Sequence, residues 1–244
     1  MNLLNKLFRN KYTKAEIPTI NSIQFDTSAW KLESHSKHNI VWRNETGDVL
    51  SLNLVKNLTG LPSFSDPIGI RSFCRQLATG DGKVGGLITV DIVKMQHIFA
   101  LKTIYKYEMR PAYAYTGMLI FPFKSVHYII TIASGERGVT GIRDAIVTAQ
   151  LLEEGKLEIE EFEEPDSAGS IGRLKGWFQD PYDSDYQGDI LCSMSDDEKY
   201  DAQFPEHPLS KIRRYLMQIE ETLKSDEPIA SIEKNDTEVP RNRA

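Results

Sequence analysis

Four apolar, β-rich runs stand close together along this chain, at residues 84–93, 98–107, 113–121 and 126–133. Parallel neighbours need a crossover of about a dozen residues, and the links here are far shorter. The runs therefore predict an antiparallel meander. Ile129, Ile130 and Ile132 crowd the last run, which predicts a strand buried on both faces.

The flanking sequence fits around that sheet. Ile23, Phe25, Trp30 and Leu32 punctuate β-favouring pieces over residues 22–33. Residues 38–43 carry Ile40, Val41 and Trp42. The turn-forming residues 44–48 follow, and residues 48–55 place Leu50, Leu52 and Leu54 on one face. Asp66 and Pro67 open a helix whose buried face is Ile70, Phe73, Cys74, Leu77 and Ala78, ended by Gly80 and Gly82. A second helix starts near Thr140 as cap, with Ile142, Ala145, Ile146, Ala149 and Leu152 as its buried face and Gly155 as its stop. The order predicts an α+β fold over residues 17–155, an antiparallel sheet covered by helices as an α/β/α sandwich.

The chain has 244 residues, 40% hydrophobic and 26% charged, a globular composition. Its net charge of -6 argues against nucleic acid as partner. The charge is unevenly placed. Residues 1–152 hold 18 basic and 11 acidic side chains, and residues 153–206 hold 4 and 17. Trp177, Phe178, Tyr182, Tyr186, Tyr200 and Phe204 stand among those acids. Residues 156–206 are thus expected to form an ordered but irregular lobe resting on the body.

Leu209, Ile212, Leu216, Ile219 and Leu223 form a narrow stripe on a helix over 207–224. Such a stripe packs on its own domain or on a second copy, as a homodimer. Residues 225–244 read as a disordered tail. Residues 1–16 are an amphipathic segment, with Leu3, Leu4, Leu7 and Phe8 among Lys6, Arg9, Lys11 and Lys14. The apolar run is too interrupted for a secretory signal. The segment reads as a frayed end or a helix docked on its own domain, with a membrane surface or partner as the alternative. No stretch has the roughly 20 apolar residues of a transmembrane span. Cys74 and Cys192 fit no metal spacing and read as free thiols in a reducing, cytoplasmic setting, with Cys74 in the core.

The chemistry-bearing patterns are few. Asp183, Asp185 and Asp189, with Gly188 in sixth place, resemble the opening of a calcium loop. The twelfth position is Met194 where a bidentate Glu belongs, so a solvated acidic loop is the competing reading. Glycines around residues 136–144 precede a helix and resemble an anion cradle, or Glu136 and Arg143 pair to fix the turn. The five histidines make no zinc pattern, and no Gly-x-Ser-x-Gly occurs.

The arrangement over residues 17–152 resembles the PsbP-like and DcrB-like α/β/α sandwich group. The resemblance is carried by Trp30, the Leu50/Leu52/Leu54 strand, the helix from Asp66, Gly85-Gly86 opening a strand, and the turn Tyr115–Gly117. It implies that sandwich fold and a non-enzymatic binding or assembly role, chaperones of secreted bacterial toxins included. No functional residue carries over by position.

The leading expectation is a non-enzymatic, bacterial protein-binding module of adaptor, chaperone or toxin-immunity type, without a cofactor. It would meet a basic protein partner through Asp180, Tyr182, Asp183, Asp185, Tyr186 and Asp189. One alternative is a calcium or other cation module at Asp183, Asp185 and Asp189. Another is an enzyme with a dispersed site, which a pocket gathering Glu136, Arg143 and a histidine would favour. In the remaining reading the acidic lobe simply folds back on the basic body.

Overall fold

The structure, a computed structural model, describes residues 18–56, 58, 60–80, 84–109, 112–123, 126–160 and 173–225. The amphipathic segment 1–16 and almost all of the tail 225–244 lie outside the described residues. Along the chain come β1 (Ile23–Gln24), β2 (Lys31–His35), β3 (Asn39–Arg43), β4 (Val49–Val55) and helix α1 (Pro67–Thr79). The four apolar runs follow as β5 (Gly85–Met95), β6 (Ile98–Met109), β7 (Ala112–Pro122) and β8 (His127–Gly135). Then come α2 (Ile142–Glu153) and the short strands β9 (Glu158–Glu160), β10 (Arg173–Lys175), β11 (Phe178–Gln179) and β12 (Cys192–Ser193). Helix α3 (Pro208–Thr222) and β13 (Lys224–Ser225) complete the described chain.

The meander forms as its short links require. It joins the β2–β3–β4 strands in one seven-stranded sheet, ordered β2-β3-β4-β8-β7-β6-β5, with every neighbouring pair antiparallel. Alternation along β6 shows how its two faces divide. Leu101 and Tyr105 join α1 through Ile70, Cys74 and Ala78. Ala100 and Ile104 join α3 through Leu209, Ile212, Leu216, Ile219 and Leu223. One helix lies on each face, as in an α/β/α sandwich, but the second is α3 rather than the expected helix after Thr140.

α1 starts where expected, with the Asp66 carboxylate accepting from the Gly69 amide at 2.9 Å. α3 lies close over β7. A side chain at Gly117 would meet Ile212 Cγ2 at 2.6 Å, so glycine there sets the approach of the helix. The apolar stripe of α3 is spent against its own sheet. A homodimer through residues 208–224 loses its basis, because that stripe is buried within one chain. The residues after the helix are also strand: Ser225 pairs with Ile23.

α2 departs most from expectation. Its N-cap is Gly141, in the left-handed region at φ 72°, rather than Thr140. The side chains it buries are Arg143, Val147 and Leu151. Of the expected face, Ile142, Ala145, Ile146 and Ala149 are exposed, and Leu152 is partly buried against the cluster of Val147 and Leu151. At 100° per residue the buried face lies roughly 140° around the helix from the expected one. The reason is the packing partner. Val147 and Leu151 meet Trp177 and Leu157 of the acidic segment instead of the main sheet.

Candidate functional site

The acidic lobe folds back onto the body, and its carboxylates find the body's cations. Asp180 takes a two-pronged contact from Arg75 of α1, at 2.7 and 3.1 Å. Asp196 pairs with Lys106 of β6 at 2.9 Å. Asp201 pairs with Arg143 of α2 at 3.0 Å and with Arg213 of α3 at 2.8 Å. Three of the lobe's carboxylates, Asp180, Asp196 and Asp201, are therefore paired with cations outside the lobe within one chain.

The six residues expected to meet a partner divide into two sets. Asp180 is 5% exposed, and its carboxylate is committed to Arg75. The Tyr182 hydroxyl accepts from the Val90 amide at 2.6 Å and donates to the Val90 carbonyl at 3.3 Å. It thereby caps the outer edge of β5, an edge that would otherwise offer unpaired backbone groups. Arg71 lies 4.6 Å over the Tyr182 ring, and Arg75 lies 4.4 Å over that of Tyr186. Asp183, Asp185 and Asp189 are exposed. The Asp183 carboxylate accepts from the Asp185 amide at 3.1 Å, a turn-forming bond. Among the described residues, no group of three or more His, Cys, Asp or Glu side chains is placed to hold a metal ion.

A buried polar network holds the seam between lobe and body. Lys106 Nζ donates to Asp196 at 2.9 Å and to Ser193 at 3.3 Å. Burial works against its charge, but Asp196 and Asp144 outweigh that and raise its pKa. The Tyr115 hydroxyl donates to Asp196, and the Ser195 hydroxyl donates to Asp144. Arg143 is 1% exposed and donates to the Ser195 and Asp197 carbonyls, Ser210 Oγ and Asp201 Oδ1, all within 3.0 Å. Groups so fully partnered and sealed are structural. One signal in the sequence bears on this network: Lys106 stands between Tyr105 and Tyr107 in a strand whose inward positions are largely apolar.

A cavity of about 450 Å³ does gather Glu136, Arg143 and His207. Its geometry does not make an acid–base site. Arg143 is spent on the lobe. Glu136 accepts from the Gly141 amide at 2.9 Å and the Tyr113 amide at 3.0 Å, which ties the turn before α2. The expected Glu136–Arg143 pair is absent because each partner is engaged elsewhere. Burial would raise the Glu136 pKa, but His207 and the two amides hold it at about 2. A carboxylate that acidic is a weak general base. His207 Nε2 lies 3.7 Å from Glu136, and Nδ1 accepts from the Leu209 amide at 3.3 Å. The ring thus caps α3.

The outer face of α2 and the turn before it are among the places where apolar side chains stay exposed. Val139 is 76% exposed, Ile142 45% and Ile146 40%, with Ala145 and Ala149 exposed beside them. Val139 and Ile142 also line the cavity, together with Phe204, Pro205 and Pro208. These exposed apolar side chains thus border a cavity that charged groups also line. The periodicity found this face but assigned it to the core.

No protein-family model matches the chain, and no characterised protein matches it in sequence. Among solved structures, 18 chains match. The Ran-binding protein Mog1p of Saccharomyces cerevisiae is 12% identical, with 55% of this chain and 86% of that one covered and a TM-score of 0.38. A cyanobacterial PsbP from Synechocystis is 12% identical, covering 52% and 85%, at a TM-score of 0.31. A protein of Bacteroides thetaiotaomicron is 9% identical at a TM-score of 0.30, and the match spans 48% of this chain and 39% of that one. The group that the sequence pattern resembles is represented among these matches.

Proposed function

We propose that this chain is a non-enzymatic protein-binding module whose contact surface is the outer face of α2. One observation carries the reading. Lys106, Arg143, Ser195 and Asp196 are committed within the lobe seam, while Val139, Ile142 and Ile146 are left to solvent. The exposed Asp183, Asp185 and Asp189 supply charge that steers a basic partner. The two free thiols, Cys74 and Cys192, support a reducing, cytoplasmic setting. No helix among the described residues is long and apolar enough to cross a membrane.

The test compares proteins captured from the native lysate by wild type, by Ile142→Glu with Ile146→Glu, and by Met217→Glu. Met217 is equally exposed but lies on α3. We expect one discrete protein to be retained by wild type and Met217→Glu and lost by the α2 pair. Retention by all three, or no specific capture by wild type, would contradict the proposal.

A further inference from the structure

The cap on the outer edge of β5 ends at Val90. Tyr182 takes both backbone groups of that residue. Pairing with β6 runs in unbroken register from Thr89 to Met95. In such a ladder every second residue turns its amide and carbonyl to the same side. Ile92 and Lys94 therefore turn theirs outward as Val90 does. Among the described residues no strand lies beyond them.

A groove of about 850 Å³ adjoins this open stretch. Asp91 stands opposite Lys102 and Thr89 opposite Ile104, on the face of the sheet that α3 covers. The groove has an apolar floor of Ile104, Leu216 and Met217, the last 53% exposed. Its rim is charged, and the cations there already have carboxylates. Lys102 pairs with Glu220 at 3.0 Å, Lys199 with Asp197 at 3.1 Å and Arg213 with Asp201 at 2.8 Å. Arg214 lies 3.9 Å from Glu206. Two acids of the rim, Asp91 and Glu198, are exposed and make no ion pair among the described residues.

We propose that edge and groove together bind an extended peptide segment, added to β5 as an eighth strand. The backbone groups of Ile92 and Lys94 hold its main chain, and the groove selects its side chains. A helical partner would leave those outward groups unanswered, so the occupant is extended. Successive side chains of a strand point to opposite faces, so every second residue of the segment faces the groove. An apolar side chain there meets the floor of Ile104, Leu216 and Met217. A lysine or arginine two residues to either side answers Asp91 or Glu198. This surface is separate from the outer face of α2 and goes beyond the function proposed above.

The probe is a fluorescent peptide, Thr-Lys-Thr-Leu-Thr-Lys-Thr, compared with Thr-Glu-Thr-Leu-Thr-Glu-Thr on the full-length protein by anisotropy. We expect the lysine peptide to bind about tenfold more tightly or better. Asp91→Lys with Glu198→Lys should reverse that preference. On the wild-type protein, the lysine peptide should slow amide hydrogen exchange at Ile92 and Lys94 by about tenfold, and leave Val93, whose amide faces β6, within about twofold. Ile142→Glu with Ile146→Glu should bind the peptide as wild type does. No binding, equal binding of the two peptides, a preference that survives the charge reversal, or binding without protection at Ile92 and Lys94 would overturn the proposal. So would loss of the peptide by the α2 pair, or protection of the two amides in the free protein by self-association. The exchange measurement needs no variant, so it decides even where the charge-reversed protein does not fold.

Discussion

At the scale of single residues, Arg143 decides how α2 sits. A buried guanidinium with acceptors on both sides orients the helix toward the lobe, overriding its more apolar face. Removing one member of a buried ion pair leaves the other uncompensated. We expect Arg143→Met to cost about 3–5 kcal/mol in urea unfolding. Asp48 behaves similarly at the far end of the α3 seam. Burial would raise its pKa, but Lys211, Ser134, Asn44 and Thr46 outweigh this and hold it at about 2. Unfolded, an Asp titrates near 3.9. The folded value is the lower one, so the stabilisation is complete above about pH 5 and is lost as pH falls toward 2. The stability gap between wild type and Asp48→Asn should therefore narrow steadily between pH 5 and pH 2, as followed by thermal unfolding. A gap that is constant with pH would contradict this assignment.

At the scale of elements, the sequence patterns separate into those that carry their own instructions and those that need a partner. The meander was readable because link length alone forbids parallel pairing. α1 was readable from the Asp66-Pro67 start and one apolar stripe. α2 was not, because its stripe of Ile142, Ala145, Ile146 and Ala149 looks like any core face. What overrides it is the pairing of Arg143 with Ser195, Asp197 and Asp201, more than fifty residues away. Long-range polar contacts leave no periodic trace. The β5 edge is a similar case. Tyr182 read as a surface aromatic, yet it caps Val90 on both its backbone groups. Tyr182→Phe leaves a Val90 amide without its partner, at a cost of about 1–3 kcal/mol. We expect a lowered melting temperature and faster aggregation by light scattering, since an open edge pairs with other chains. An unchanged melting temperature would contradict the capping role.

At the scale of the whole molecule, the charge asymmetry and the contact surface turn out to be separate matters. The asymmetry was legible in the residue counts. Its use within the chain was not, since counting cannot tell a cis pair from a trans one. The lobe answers the body through Arg75–Asp180, Lys106–Asp196 and Arg143–Asp201. In doing so it draws the side of α2 that carries Arg143, Val147 and Leu151 inward and leaves Ile142, Ala145, Ile146 and Ala149 outside. On the proposed reading, the acidic loop at Asp183, Asp185 and Asp189 would steer association, while α2 would hold the complex. The most direct measurement is the affinity of the captured partner for three proteins: wild type, Ile142→Glu with Ile146→Glu, and Asp183→Asn with Asp185→Asn and Asp189→Asn. The account predicts a loss of about tenfold or more, 1.4 kcal/mol, for the α2 pair. It predicts a change of only about twofold for the loop variant, felt in the association rate and fading at high salt. A loop variant that abolishes binding while the α2 pair binds as wild type would contradict it.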